Sequence, residues 1–331
     1  MYTITSSHQA LYSQSPQKRK MKKKMGSSSM ATKKVKLENT LGLIRNWLEV
    51  PKDVTSNILK LLGAVDLVMN ARLVCPMWRE ICRDPLMWKS IEMINGLHSP
   101  HNLEKICMYA VDQGGDHVEE INVEYFVTDD LIRRLAERTS NLRRIRISKC
   151  LEISNTVFTI AAKKFSLLEE LELSFTSLNH VSLEAIGKNC PLLKTLKFNQ
   201  PFKGILCGSY KGYKCNKEAL AIAKTMPELR DLELWGNKLT NDGLIAIFDG
   251  CPYLESLDVR MCYNLVIHGN LAKRCFENSR VKYFRYPNEY INGYDNADDD
   301  DFVYEFYCEC RVKGSKRMKR KFTHMNFYKF H

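Results

Sequence analysis

One apolar spacing, L-x-x-L-x-L, recurs through most of this 331-residue chain and constrains its fold more than any other feature. It reads Val118/Ile121/Val123, Leu142/Ile145/Ile147, Leu168/Leu171/Leu173, Leu193/Leu196/Phe198, Leu229/Leu232/Leu234 and Leu254/Leu257/Val259, with a weaker seventh copy at Val281/Phe284/Tyr286. The copies start 24, 26, 25, 36, 25 and 27 residues apart. Such a unit cannot bury its apolar face alone, so successive units must stack. Each copy predicts a short parallel strand followed by a helical return.

Independent details fix the register. The slot three residues past the last apolar position holds Cys150, Thr176, Asn237 and Cys262, whose side chains can bond the backbone of the turn between units. Pro191, Pro227 and Pro252 stand two residues before the strand motif and end the preceding helix. The pattern resembles the cysteine-containing class of leucine-rich repeat. The fourth copy departs from it. Its 36-residue span predicts an insertion of about 11 residues, starting at Pro201, which takes the turn slot, and running to about Asn216.

Ahead of the repeats, Val54, Ile58, Leu61, Leu62 and Val65 fall at i, i+4, i+7, i+8 and i+11, an apolar stripe on a helix. Pro51 sits where a helix can start, Asp53 suits its first turn, and Asp66 is expected to cap a second helix from Leu67. A third segment carries Val74, Trp78 and Ile81, with Trp88 after Asp84–Pro85. Three short helices in about 45 residues are too small a unit to bury two tryptophans comfortably. The segment from Trp47-Leu-Glu-Val-Pro-Lys-Asp-Val, through Val74-Cys-Pro-Met-Trp, to Asp84-Pro-Leu-Met-Trp88 resembles the F-box, with Val50 where Leu usually precedes the proline.

The resemblance implies a Skp-type adaptor as partner, and through it the cullin and RING subunits of an SCF ubiquitin ligase. The chain would be the non-catalytic specificity subunit that holds a protein substrate. Adaptor contacts are expected from Pro51, Val54, Ile58, Leu59, Leu62, Leu67, Val74 and Trp78. The alternative is an interaction module, or a small-ligand sensor, that acts outside ubiquitin transfer. The whole pattern is similar to plant proteins with an N-terminal F-box and short leucine-rich repeats. The expected fold class is an α+β repeat architecture: a three-helix F-box, then a short solenoid with parallel strands inside and helices outside. The expected divisions are a basic tail at 1–45, the F-box at 46–92, repeats at 93–290 and a charged tail at 291–331.

Residues between the apolar strand positions project from the inner face. One row reads Asn122, Arg146, Glu172, Lys197, Glu233, Asp258 and Arg285, and an adjoining row begins Glu120, Arg144, Glu170, Thr195 and Asp231. The mostly alternating signs predict a surface that neutralises itself, at about 0–1 kcal/mol per pair. A third row, Glu124, Ser148, Ser174, Asn199, Trp235 and Arg260, is less self-paired. Tryptophan and arginine are enriched among interface hot spots. Trp235 and Arg260, with Asn199 and Lys197 beside them, are therefore the candidate substrate contacts.

The formal charge of +12 sits at the ends. Residues 1–40 carry +8 and residues 302–331 carry +6, which leaves −2 for the body between them. A fold that grips nucleic acid across one face is disfavoured. The clusters Lys18-Arg19-Lys20 and Lys33-Lys34-Val35-Lys36 resemble a split nuclear localisation signal, so the nucleus is expected and the cytoplasm is the other compartment open to the chain. No apolar run reaches the length of a membrane span, and the N-terminus lacks the apolar core of a secretory signal. The twelve cysteines contain no CxxC pair and read as reduced thiols. Cys308-x-Cys310 with His324 gives three candidate zinc ligands, short of a structural set of four. No cofactor, metal site or catalytic constellation is expected.

Overall fold

The computed structural model describes residues 49–94, 102–200, 214–277 and 281–287. The basic clusters Lys18–Lys20 and Lys33–Lys36, the body of the insertion and the trio Cys308, Cys310 and His324 lie outside them.

The chain from Lys52 onward forms one unit with one continuous apolar core, from Leu59 to Cys275. It opens with helix α1 (Lys52–Leu59), then α2 (Ala64–Asp66), a π turn at Leu67–Ala71, α3 (Arg72–Val74), α4 (Pro76–Ile81) and a 3-10 turn at Pro85–Trp88. The helix expected from Leu67 in fact begins at Ala64. Asp66 lies inside it and accepts a hydrogen bond from Asn70 Nδ2 at 2.9 Å instead of capping. Cys75 caps α4, its sulfur accepting from the Trp78 amide at 3.4 Å, and Pro76 occupies the first turn.

Eight strands then pair in sequence order, all parallel: β1 (Ser90–Met93), β2 (Glu120–Glu124), β3 (Arg144–Ser148), β4 (Glu170–Ser174), β5 (Thr195–Asn199), β6 (Asp231–Glu233), β7 (Ser256–Asp258) and β8 (Tyr283–Arg285). Helices α5 (Leu103–Gly114), α6 (Asp129–Arg138), α7 (Asn155–Ala162), α8 (His180–Asn189), α9 (Lys217–Thr225), α10 (Asn241–Gly250) and α11 (Gly269–Glu277) fill the crossovers. The register follows the repeat count: Ile121 pairs with Ile145, Ile145 with Leu171, and Leu171 with Leu196. These inner positions are fully buried, while their strand neighbours alternate outward.

The repeat count missed β1. Its residues Ser90–Met93 fall across the expected boundary at 92/93, yet Ile91 and Met93 are core and pair with Ile121 and Val123. Trp88, just before it, is buried, donates from Nε1 to Cys82 O at 2.9 Å, and meets Tyr109 of α5 edge-to-face at 6.4 Å. Gly114 makes this approach possible, because a Cβ there would lie 2.5 Å from Val118 Cγ2 and 2.8 Å from Trp88 Cβ. The N-terminal helices therefore share the core of the repeats, which solves the burial problem that their small size poses.

Two backbone ladders hold the repeats in step. Asp129 Oδ1 accepts from Ser154 N at 2.7 Å, Asn155 Oδ1 from Asn179 N at 3.0 Å, Asn216 Oδ1 from Thr240 N at 2.8 Å, and Asn241 Oδ1 from Val266 N at 2.9 Å. In the expected turn slot, Cys150 Sγ donates to Ser148 O and Cys262 Sγ to Leu234 O, while Asn237 Oδ1 accepts from Leu239 N. Thr176 is buried there, but its hydroxyl has no partner among the described residues.

Candidate interaction surfaces

Helix α1 turns Thr55 and Leu59 inward, one helical turn apart. The predicted stripe lies mainly on the solvent side. Val54, Ile58 and Leu62 are exposed, and Leu61 is 85% exposed. Leu73 and Val74 follow at 62% and 61%, with Leu86 also exposed. Seven large aliphatic side chains in about 33 residues face solvent on a unit whose core is already filled. Covering each would contribute roughly 1.5–3 kcal/mol. Such clustering marks a docking face.

The structure sorts the eight expected adaptor contacts. Pro51, Val54, Ile58, Leu62 and Val74 are exposed, and Trp78 is half-buried against the core. Leu59 and Leu67 must be withdrawn. They are 1% and 3% exposed and hold the helices to one another, so a partner cannot reach them. Leu61, Leu73 and Leu86 share the exposed face and were not among the eight, since spacing alone does not say which side of a short helix the core occupies. An ion pair of 2.7 Å from Lys52 Nζ to Glu80 Oε1 ties α1 to α4, and this hydrogen bond holds the Glu80 carboxyl below its ordinary value.

On the strand face the charges pair along the ladder as their alternation predicts. Arg144 reaches Glu120 at 3.3 Å, and Arg146 lies 3.6 Å from Glu120 and 3.5 Å from Glu170. Lys197 bridges Glu172 at 3.8 Å and Glu233 at 3.6 Å, so the ladder already engages its ammonium. Arg260 lies along Asp258, with Nη2 to Oδ2 at 2.6 Å and Nε to both oxygens near 3 Å.

Asn199 must be withdrawn as a substrate contact. It is buried, and its amide is fully committed. Nδ2 donates to Ser174 Oγ at 3.2 Å and Glu233 Oε1 at 2.7 Å, while Oδ1 accepts from Trp235 N at 3.0 Å. Trp235 is half-buried rather than freely exposed, packed edge-to-face on Phe175 at 5.4 Å. Its Nε1–H is buried with no acceptor among the described residues.

Phe175 was missed because it occupies a slot with no repeat consensus. The structure shows what the slot requires. Tyr125, Lys149, Phe175, Gly236 and Met261 all follow a strand and all take positive φ, between 57° and 75°. This left-handed turn re-aims each side chain at the strand end and costs a non-glycine residue about 1 kcal/mol or more. Gln200 stands in the same slot and does not take it. It precedes Pro201, which disfavours that conformation. Among the described residues there is no cluster of three metal-ligating side chains and no helix long and apolar enough to cross a membrane.

A family model described as F-box-like matches residues 47–93, the span of the exposed aliphatic face. F-box/LRR-repeat protein 23 of Arabidopsis thaliana is 44% identical over 249 residues, covering 74% of this chain and 54% of that protein. F-box protein SKIP19 of the same plant is 42% identical over 270 residues, covering 80% of this chain and 85% of its own length. The chain belongs to the F-box/leucine-rich-repeat family. It spans just over half the length of F-box/LRR-repeat protein 23 and most of SKIP19. F-box protein SKIP1, at 28% identity over 241 residues, is a more distant relative. The F-box-like match ends at Met93, the last residue of β1, so the F-box of this protein hands its chain directly to the repeat sheet.

Proposed function

We propose that this F-box/leucine-rich-repeat protein is the substrate-recognition subunit of an SCF-type ubiquitin ligase. The observation that carries the reading is the F-box-like span 47–93, with an aliphatic face that the core beneath it leaves uncovered. Its side chains dock on a Skp-type adaptor, and a cullin and a RING subunit join through that adaptor. The strand face, at the rim formed by Phe175 and Trp235, holds a protein substrate. The chain contributes proximity: a bound substrate lysine is brought within reach of a charged conjugating enzyme, which supplies the chemistry. The basic clusters at Lys18–Lys24 and Lys33–Lys36 direct the complex to the nucleus.

Co-purification from cells tests the central claim. Wild type is expected to recover a Skp protein and a cullin. Val54→Asp combined with Val74→Asp places two charges on the exposed face without entering the core, and is expected to lose both proteins at unchanged thermal stability. Leu59→Asp would be a poor probe, because it would unfold the helices. A wild-type sample free of Skp and cullin refutes the proposal.

A further inference from the structure

The helices that follow β2 and β3 leave a groove between them. Its floor is Ala136 of α6 with Val157 and Ala161 of α7, its wall is Ile160, and its volume is about 520 Å³. Val157 and Ala161 are buried, whereas Ile160 is 61% exposed. The repeat does not call for a large apolar side chain at this point. Ile160 is the sixth residue past the Ser154 cap. At the same distance past their caps, α6, α8 and α10 hold Arg134, Ala185 and Ala246, and the Ile222 of α9 is buried. A protruding aliphatic group beside an apolar hollow marks an interaction surface.

Both signs of charge stand at one end of this groove. Glu137 is the ninth residue past the Thr128 cap of α6, and Lys163 and Lys164 are the ninth and tenth past Ser154, so they lie about level on neighbouring helices. All three are exposed, and none is in an ion pair among the described residues. Arg133, at the other end, already pairs with Asp130 of its own helix. A patch that carries a knob with a hollow, and an anion with a cation, is complementary to its own image about a two-fold axis. With that axis along the helices, α6 of each copy faces α7 of the other.

We propose that this face of α6 and α7 binds a second copy of the same chain. Ile160 of each copy enters the hollow of the other, and Glu137 of each reaches Lys164 of the other, so every contact is made twice. Permanent dimers bury on the order of 2,000 Å² or more, and a patch of two helices is smaller, so this dimer forms and parts with concentration. It uses neither the F-box face nor the Trp235 rim, and it stands whether or not the chain joins a ubiquitin ligase.

Sedimentation velocity of the full chain from about 1 to 100 µM tests it. Wild type is expected to move from 38.4 kDa towards twice that mass as concentration rises. Ile160→Asp is expected to stay monomeric throughout, with unchanged thermal melting because the site is exposed. The control Leu220→Asp, at another exposed aliphatic on α9, is expected to dimerise like wild type. Glu137→Lys alone and Lys164→Glu alone each set like charges across the axis, and each is expected to weaken the dimer at least about 3-fold. Mixing these two variants is expected to restore it as a heterodimer, since opposite charges then meet at both contacts. An ion pair formed within one chain could not be restored by mixing. A wild type that stays at 38.4 kDa overturns the proposal and leaves the groove to a different partner. A dimer that Ile160→Asp retains, or a mixture no tighter than its components, also overturns it.

Discussion

Asn199 provides a demanding check on how the strand face is built. Its amide donates to Ser174 Oγ and the Glu233 carboxylate and accepts from the Trp235 amide, in a buried site. Asn199→Ala removes one neutral bond and one charge-assisted bond, and leaves the Trp235 N–H without an acceptor. A neutral bond contributes about 1 kcal/mol, a bond to a charged group about 1.5–3, and an orphaned buried donor costs about 1–3. These effects overlap, so the expected loss is about 2–4 kcal/mol. With a urea m-value near 3 kcal/mol/M, the midpoint falls by about 0.7–1.3 M, read by circular dichroism. Asn199→Asp keeps the shape but puts a carboxylate beside Glu233. Its folded pKa must rise above the unfolded value of about 3.9. A raised carboxyl pKa means that stability is retained below the unfolded value and lost as pH rises through the folded one. The deficit of Asn199→Asp against wild type should therefore be larger at pH 7.5 than at pH 4.5. If Asn199→Ala unfolds within 0.2 M urea of wild type, the hydrogen-bond assignment is wrong and Asn199 returns as a candidate partner contact.

Three further outcomes follow from the same geometry. Gly250→Ala would set a Cβ 2.1 Å from Ala223 O, a backbone atom that cannot rotate away, so a loss of about 1–3 kcal/mol is expected in the same urea titration. Burial pushes the thiols of Cys107, Cys190, Cys251 and Cys262 up to about 12, so iodoacetamide at pH 8 should label them only after denaturation, as mass spectrometry of the digested protein would show. Partial burial opposes ionisation of Asp112, but hydrogen bonds from Arg134 at 2.6 Å and Arg138 at 3.0 Å prevail and hold its carboxyl below 3.8. A lowered pKa means that this contribution is present above the unfolded value and lost as pH falls through the folded one. Asp112→Asn should cost about 1 kcal/mol at pH 7, after allowing for the exposure of both arginines, and converge on wild type near pH 2.

The repeat register was legible because it rests on period and burial, which sequence states directly. Ile145, Leu171 and Leu196 could be aligned from spacing alone, and the structure pairs them as aligned. Strand β1 was not legible. Ser90–Met93 offers only two apolar positions, lacks the full repeat spacing and straddles the expected boundary at 92/93. The site residues were harder still. Lys197, Asn199 and Arg260 looked available because a sequence shows which groups exist and not which are already engaged. All three carry hydrogen bonds or ion pairs to neighbours one strand away or two residues along. Leu59 and Leu67 fail for the same reason at the F-box, where burial on a short helix depends on contacts that periodicity does not encode.

The continuity of the core bears on how such a subunit would work. Trp88 seals the F-box against α5, and β1 follows two residues later, so no flexible linker separates the aliphatic face from the sheet. Five strand spacings of about 4.8 Å separate β1 from β6, placing the Trp235 rim about 24 Å along the ladder. Proximity catalysis gains most when that separation is fixed, since a tether that wanders lowers the effective concentration of the substrate lysine. Opening this joint should therefore uncouple two readouts that otherwise move together. Trp88→Ala removes the buried ring and is expected to cost about 3–5 kcal/mol. A milder probe, Tyr109→Ala, deletes the edge-to-face contact and the ring beneath Arg72, whose guanidinium lies 4.8 Å away. Once a substrate is in hand, Tyr109→Ala should leave adaptor and substrate capture intact while slowing ubiquitin transfer in a reconstituted assay. Unchanged transfer by a Tyr109→Ala protein with a demonstrably loosened F-box, seen as faster hydrogen exchange at 72–88, would show that rigidity at this joint contributes nothing to the reaction.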